Sequence, residues 1–153
     1  MPTIDTKYFG AMSYEAESCF DFPCGLPAFD NEQQFLPLRV PEQEPLVFLQ
    51  STKTPDLCFV AIPVLVADPQ YRLAATREDL ESVGLSSSRQ PRIGEDALVL
   101  ALLAIRDDAP ATANLLAPIV INLANRRAVQ AIRCDNRYSH QQPLVACAEK
   151  STC

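Results

Sequence analysis

The sequence predicts a mainly β protein: a single small antiparallel β-barrel-like domain with one or two short helices. Short apolar runs rich in Val, Ile, Leu and Phe alternate with turns rich in Pro, Gly, Asn and Asp, a spacing typical of barrels and sandwiches. One segment has helix-capping residues in the right order. The 153 residues suffice for one domain with a sizeable core. We expect this domain to span residues 1–145 and a flexible tail to occupy residues 146–153.

The first thirty residues predict two short strands and a loop. Tyr8 and Phe9 fit an edge strand that Gly10 ends, and residues 18–22 alternate as a second strand. Residues 22–29, FPCGLPAF, hold two prolines and a glycine among apolar side chains, which excludes a regular element. We expect a tight, partly buried loop that closes one end of the core.

Three longer runs follow this loop. Residues 34–40 fit a strand in which Pro37 has no N–H, so we expect an edge or bulged strand. Residues 46–51 fit a further strand. Residues 57–66 are apolar on both faces, which predicts either a central strand or one with a covered outer face, with a break near Pro63.

The second half begins with the one convincing helix, residues 76–83. Thr76 has an N-cap side chain, Asp79 follows three residues later, and Gly84 marks the end. Residues 97–105 are nine consecutive apolar residues. Their Ala and Leu content suits a helix, but their short length and the flanking polar turn predict a buried strand.

A β-hairpin is predicted near the C-terminus. Residues 118–123 and 128–132 are β-compatible runs on either side of a polar break, and a proline opens the first run. Asn114 and Asn122 bracket the first arm, where an Asn is most often a turn or capping residue. Residues 137–144 are irregular and are expected to pack back on the sheet.

The charge is unevenly distributed. The formal net charge is −6, and the first 70 residues hold ten acidic and three basic side chains. This acidity argues against direct binding of nucleic acid, which needs clustered Lys and Arg. It fits a basic protein partner, although solubility alone would also explain it. No apolar run is long enough for a membrane span and no signal peptide is visible, so we expect a cytoplasmic protein.

Catalytic and metal-binding patterns are weak in this sequence. The six cysteines form no C-x-x-C pair and fit no zinc spacing, and the four glycines form no phosphate loop. Cys134 and His140 give the only nucleophile pattern, which leaves a small thiol-dependent hydrolase as one alternative. A structural β-domain of a larger assembly is another. We expect no enzyme activity, no metal and no cofactor.

Six segments together resemble the FliW family of bacterial flagellar assembly factors, over about residues 6–144. None is specific alone, and the resemblance rests on their order: TKYFG, FPCGLPAF, LQS, DPQY, NLLAPIVIN and YSHQQPL. Two departures stand out. Ala28 replaces a glycine of the family pattern, which predicts a slightly different turn if that glycine has positive φ. His140 replaces an arginine, which puts any role of a positive charge there in doubt.

The resemblance implies partners and a regulatory role. FliW proteins bind flagellin in the cytoplasm and also bind CsrA, a basic dimeric protein that represses flagellin translation. Flagellin takes up FliW and leaves CsrA to repress, whereas flagellin export frees FliW to antagonise CsrA. The resemblance therefore implies that this protein couples flagellin level to flagellin translation through flagellin and CsrA, without direct contact with nucleic acid or membrane.

Two sets of residues are candidates for these contacts. Aromatic, apolar and amide groups of the matching segments can anchor an incoming flagellin segment, although each also fits a turn cap or the core. Exposed carboxylates in predicted loops can attract a basic partner and repel RNA phosphate within about one Debye length, ~8 Å. The first set is Tyr8, Phe9, Leu49, Gln50, Asn114 and Asn122; the second is Glu42, Glu44, Asp56 and Asp68.

Overall fold

Antiparallel strands dominate the computed structural model, which describes residues 2–105, 107–133 and 135–144. Two short α-helices are present, α1 (Val64–Ala67) and α2 (Arg77–Ser82), together with 3-10 turns at Ala16–Ser18 and Pro41–Gln43. The described strands are β1 (Thr3–Thr6), β2 (Gly10–Ser13), β3 (Phe20–Asp21), β4 (Gln34–Leu38), β5 (Val47–Ser51), β6 (Cys58–Pro63), β7 (Ala97–Ala104), β8 (Thr112–Ala113), β9 (Ile119–Asn122), β10 (Ala128–Gln130) and β11 (Gln142–Pro143).

One curled sheet carries the fold. Its strand order is β10-β9-β7-β6-β5-β4-β3, with β8 on the far half of β7 and β11 on β8; β1 and β2 form a separate hairpin. The two ends of the sheet meet where the Asp21 N–H donates to the Arg126 carbonyl over 2.9 Å. One isolated bridge, between Asp21 and Arg127, accompanies it. No continuous ladder joins these ends in the described residues, so the sheet is mainly β as predicted and barrel-like only loosely.

The concave face of the sheet holds an inner cluster of apolar side chains. Residues of β5 and β7 that point inward alternate with residues that point outward, as the two-residue period of a strand requires. Two phenylalanine rings from the loop and β4, Phe22 and Phe35, lie 5.4 Å apart edge to face. The buried members are Phe20, Phe22, Leu26, Phe35, Val47, Leu49, Ala61, Leu100, Ile119, Ile121 and Ala128.

The convex face of β7 and β9 is covered by an outer cluster. Val99 and Ala101 point into it, whereas Leu100 between them points into the inner cluster. Burial on both faces explains the apolar run over residues 97–103 and confirms the predicted strand, while Ala104 and Ile105 at its end are exposed. The cover comes from the chain between β6 and β7, which contributes Val64, Tyr71, Leu73, Ala75 and Leu80.

Three further predictions are confirmed. Helix α2 begins after Thr76, whose hydroxyl accepts the Asp79 N–H over 3.1 Å. The C-terminal hairpin pairs β9 with β10, with Val120 opposite Val129. Pro37 lies where β4 pairs with β5 but β3 has already ended, so its missing N–H faces an edge.

One strand prediction is wrong, and another is confirmed only as far as the break expected near Pro63. Tyr8 and Phe9 lie in the turn between β1 and β2 and not in a strand. The Thr6 hydroxyl organises that turn, since it accepts the Phe9 N–H and donates to the Gly10 carbonyl. The strand predicted over residues 57–66 stops at Pro63, and α1 follows because the covering segment must cross over β7.

The loop at residues 22–29 is partly buried as predicted, with Phe22 and Leu26 inside and Cys24 and Phe29 exposed. Gly25 is required there, because an added Cβ would lie 2.7 Å from the Asp30 carbonyl oxygen. Ala28 has a φ of 69°, so this residue adopts left-handed backbone itself despite its side chain. The expected change of turn is therefore not needed at Ala28.

A buried arginine fastens the C-terminal segment to the covering segment. The Arg133 guanidinium donates to both Asp135 carboxylate oxygens, over 2.8 and 3.1 Å, to the Tyr71 hydroxyl and to the Arg72 carbonyl. It also stacks against the rings of Tyr71 and Tyr138, at 5.2 and 4.5 Å from their centroids. The Leu115 N–H donates to the Ser139 carbonyl nearby, so residues 135–144 pack back as expected.

We expect Arg133→Lys to lower the free energy of unfolding by about 2 kcal/mol. Lysine keeps the charge but has no planar fork for Asp135 and no flat face for the two rings. Tyr138→Phe is the control, because it keeps the stacked ring and should cost under about 1 kcal/mol. Urea unfolding followed by circular dichroism measures both changes. Equal stability of Arg133→Lys and the wild type would show that the guanidinium geometry does not matter.

Candidate partner-binding groove

A groove of about 830 Å³ lies on the convex side of β5 and β6, beyond the end of β7. Hereafter it is called the groove. Its floor and one wall are largely apolar, and Tyr8 and Ile105 in the walls are 59% and 63% exposed. Exposed aromatic and aliphatic groups around one concavity are typical of an interaction site. The lining residues are Tyr8, Phe9, Gln43, Phe48, Cys58, Val60, Ile105 and Asp107.

Strand alternation places the floor. Val47 and Leu49 point into the inner cluster, so Phe48 between them points outward. Phe48 pairs with Val60 across β5 and β6, and the two side chains stand on the same convex face. The Phe9 ring packs edge to face on Phe48, with 5.4 Å between centroids.

A shared carbonyl anchors the β1–β2 turn beside the groove. The Pro55 carbonyl accepts the Lys7 N–H over 3.0 Å and the Gln50 side-chain amide over 3.2 Å. Gln50 also donates to the carbonyls of Ser51 and Thr54. The turn that follows β5 therefore fixes the wall formed by Tyr8 and Phe9 to that strand.

A buried carboxylate holds that same turn. The hydroxyls of Ser51 and Thr54 both donate to Glu32, the latter over 2.6 Å, and Ser51 in turn accepts the backbone N–H groups of Lys53 and Thr54. Burial of Glu32 opposes its ionisation, but these hydrogen bonds outweigh it and hold the pKa of Glu32 below its ordinary value. The ionised form is thus part of the folded structure.

The structure brings part of the predicted contact set together. Tyr8 and Phe9 line the groove; Glu42 and Glu44 flank its residue Gln43 in the chain. Asp56 is exposed two residues before the groove residue Cys58. Asp68 does not belong with them, because it follows α1 and accepts the Gln70 N–H in the covering segment.

Four other candidates have structural partners instead. Leu49 and Gln50 are fully buried: Leu49 points into the inner cluster, and Gln50 holds the turn after β5 through the Pro55 carbonyl. Asn114 accepts the Ala117 N–H over 3.0 Å, and Asn122 joins the Val83 carbonyl to the Ala124 N–H. These are the turn and capping roles that Asn favours.

Asn122 also lies far from the groove. It pairs with Ala97 at the start of β7, whereas Ile105 follows the end of that strand. Eight residues of strand separate these points by about 25 Å. Asn122 instead borders a second depression of about 330 Å³, whose lining includes Gly84, Arg89, Asp96 and Leu123.

Several lining residues of the groove were not predicted as contacts from the sequence, among them Phe48, Cys58, Val60 and Ile105. The alternation of β5 was the available signal, since assigning Leu49 to the core assigns Phe48 to the opposite face. For Ile105 no local signal existed, because it continues the apolar run of a buried strand. Its exposure follows from β7 ending at Ala104.

Thiol and metal chemistry has little support in the described part of the chain. Burial raises the pKa of Cys19 and of Cys58 to about 11, which keeps both thiols protonated at neutral pH. His140 is exposed, and Cys134 lies outside the described residues. Among the described residues there is no group of three or more His, Cys, Asp or Glu side chains that could hold a metal ion.

Over the described ranges, no helix is long and apolar enough to cross a membrane. The predicted tail, residues 146–153, lies outside those ranges, as does Val145.

Fold and groove define a small mainly β domain with one half-covered face. The FliW family model, described as "FliW protein", matches residues 3–144. The flagellar assembly factor FliW of Syntrophomonas wolfei is 31% identical over 142 residues, covering 92% of this chain and 87% of that protein. That of Bacillus subtilis is 30% identical over 142 residues, covering 92% and 95%.

A crystal structure of a flagellar assembly factor FliW superposes with a TM-score of 0.81. The two sequences are 31% identical, and the match covers 94% of this chain and 96% of that one. The chain belongs to the FliW family of flagellar assembly factors. The resemblance seen in the motifs is therefore confirmed.

We expect Glu32→Gln to lower the free energy of unfolding at pH 7 by about 1–3 kcal/mol, because an amide replaces the acceptor of two hydroxyls. Since the folded pKa of Glu32 is depressed, its contribution is present above the unfolded value of about 4.3 and is lost as pH falls through the folded value. The difference in free energy of unfolding between Glu32→Gln and the wild type should thus become smaller from pH 5 towards pH 3.

Urea unfolding at several pH values measures this gap. Glu42→Gln is the matched control, since Glu42 is exposed and should matter by under about 0.5 kcal/mol at every pH. A gap for Glu32→Gln that stays constant with pH would contradict the ionised role of Glu32.

Proposed function

We propose that this protein is a cytoplasmic flagellar assembly factor that binds flagellin and antagonises the translational repressor CsrA. It would thereby couple the level of flagellin to its translation, without catalysis. Membership of the FliW family supports the flagellar role. The groove is the observation that supports partner binding most strongly, because the predicted contact residues Tyr8 and Phe9 line it. Glu42 and Glu44, also predicted, flank its lining residue Gln43 in the chain.

The flagellin contact is proposed at the aromatic wall of the groove. Tyr8 is 59% exposed, and Phe9 beside it is held in place by Phe48. Rigid aromatic groups of this kind supply large contact area at low entropic cost. Leu49, Gln50, Asn114 and Asn122 would contribute by fixing strands and turns, because their side chains are engaged inside the protein.

The effect on CsrA is proposed to be electrostatic. Glu42, Glu44 and Asp56 are exposed near the groove, and none has a salt-bridge partner among the described residues. A basic partner would be attracted to them, and RNA phosphate held within ~8 Å of them would be repelled at physiological salt. Asp68 adds to the same net negative charge but lies in the covering segment, after α1.

Tyr8→Ala should weaken flagellin binding about tenfold, because it removes an exposed aromatic anchor and leaves the core intact. Ile132→Ala is the control, since Ile132 is 57% exposed and is not a lining residue of the groove. Isothermal titration calorimetry with flagellin from the same organism compares them. Wild-type affinity for Tyr8→Ala would show that flagellin binds elsewhere.

Neutralising Glu42, Glu44, Asp56 and Asp68 together should slow CsrA association and weaken the block on RNA binding. Both effects should shrink as salt rises, because the charges are exposed and screened. Folding should stay nearly unchanged. A competition assay with CsrA and its RNA at two salt concentrations measures this. The charge-matched control neutralises four carboxylates that are exposed outside the groove, Glu17, Glu78, Glu81 and Glu95.

If the wild type and the variant without the four predicted contact carboxylates block RNA binding by CsrA equally at low salt, the electrostatic proposal is contradicted. In that case the acidity of the first half would serve solubility only. Asp68→Asn alone separates the two locations: it should behave as wild type if the carboxylates beside the groove carry the effect.

A further inference from the structure

The groove offers an apolar floor to a ligand. Phe48 and Val60 are half-buried on the convex face, and Ile105 stands at the rim with 63% of its surface exposed. A volume of about 830 Å³ holds several side chains and not only one. A ligand that fits this floor must present apolar groups along one side.

One carboxylate lines the groove, and four more lie within two residues of its lining residues in the chain. Asp107 lines the groove and Asp108 follows it; Glu42 and Glu44 flank Gln43, and Asp56 precedes Cys58 by two residues. Lys7 is the one described base that adjoins a lining residue, and its ammonium lies 5.4 Å from the Tyr8 ring centroid. Arg106 lies outside the described residues. The rim therefore favours a ligand with positive charge.

A buried amide lies beside the floor, on the same face of β5 as Phe48. Gln50 is the cross-strand partner of Cys58, and its amide nitrogen donates to three carbonyls. Those three bonds fix the orientation of the amide. Its oxygen is buried and has no donor among the described residues. Because Gln50 is fully buried and does not line the groove, the floor and the rim decide which ligand fits.

We propose that the groove binds a cationic amphipathic segment of a partner protein. Apolar side chains of the segment pack on Phe48, Val60 and Ile105, and its Lys or Arg side chains meet the carboxylates of the rim. This inference rests on the proposed function, in that the protein acts by binding protein partners, and it adds the chemistry of the segment that is bound. The apolar contact sets the lifetime of the complex, and the charge sets its rate of formation.

Synthetic peptides test this chemistry with the full-length protein. The probe is a helix-forming peptide with leucines on one face and lysines on the other. One comparison peptide replaces every lysine by glutamate, and another replaces every leucine by serine. We expect the leucine–lysine peptide to bind at least about tenfold more tightly than either, as measured by calorimetry, with an affinity that falls as salt rises.

Matched variants locate the binding site. Ile105→Gln should weaken the leucine–lysine peptide about tenfold, because it replaces an apolar contact by a polar one. Ile132→Gln, equally exposed but outside the groove lining, should leave affinity within about twofold. Asp107→Asn is a second variant and should reduce affinity at low salt only. Equal affinity of Ile105→Gln, Asp107→Asn and wild type would overturn the proposal.

Alkylation of cysteines supplies an independent readout of position. Cys58 lines the groove, whereas Cys24 is exposed in the loop at residues 22–29. With peptide at ten times its dissociation constant, the alkylation rate of Cys58 by a maleimide at mildly alkaline pH should fall about tenfold. The Cys24 rate should not change. Protection of neither cysteine, or of Cys24 alone, would place the peptide elsewhere.

Failure here is distinguishable from failure of the proposed function. Suppose that the wild type binds flagellin and CsrA, and that Ile105→Gln binds both proteins and the peptide as tightly as the wild type does. Partner binding then stands, and the assignment of the peptide site to the groove falls. If the wild type binds neither flagellin nor CsrA, the proposed function falls, whatever the peptides do.

Discussion

Strand β7 is packed on both of its faces, and the rest of the structure depends on that constraint. Leu100 fills the concave side while Val99 and Ala101 fill the convex side. The concave side is closed by curling the sheet until Asp21 meets Arg126. The convex side needs a separate cover. The segment between β6 and β7 supplies it: the chain leaves β6 at Pro63 and packs across the convex face of β7.

This cover explains why a groove remains. The covering segment packs on β7 and β9, and its C-terminal partner is fixed to it by Arg133 between two tyrosine rings. On the convex face of β5 and β6, the turn of the β1–β2 hairpin packs beside Phe48 through Phe9 and the Lys7 N–H. Between the two covers the sheet stays partly open, and the carboxylates of neighbouring loops border that opening. The groove thus follows from incomplete coverage of one sheet.

Sequence patterns predicted the elements whose stability is local or strongly periodic. The capped helix after Thr76, the hairpin at β9 and β10, and the long apolar strand β7 each carry such a signal. The turn at Tyr8 and the helix α1 do not. Tyr8 and Phe9 have side chains that favour strands, but the Thr6 hydroxyl and Gly10 impose a turn. Val64 begins a helix although β-branched, because burial against β7 outweighs its propensity.

Individual residues of the candidate site could be predicted from the sequence, but their arrangement on one surface could not. Loop carboxylates and exposed aromatics could be named from composition, but which of them share one surface depends on non-local pairing. Gln50 shows the limit most clearly: its amide looked available in sequence, and the structure uses it to hold the carbonyls of Ser51, Thr54 and Pro55. Asn122, chosen for the same chemistry, lies at the opposite end of β7.

Hydrogen–deuterium exchange of the protein with and without flagellin tests most directly whether the half-covered face is the binding surface. The account predicts slower exchange at residues 6–10, 42–48 and 58–60, which form the groove and its walls, with little change elsewhere. Slower exchange confined to residues 84–96 and 122–124, around the second depression, would contradict it.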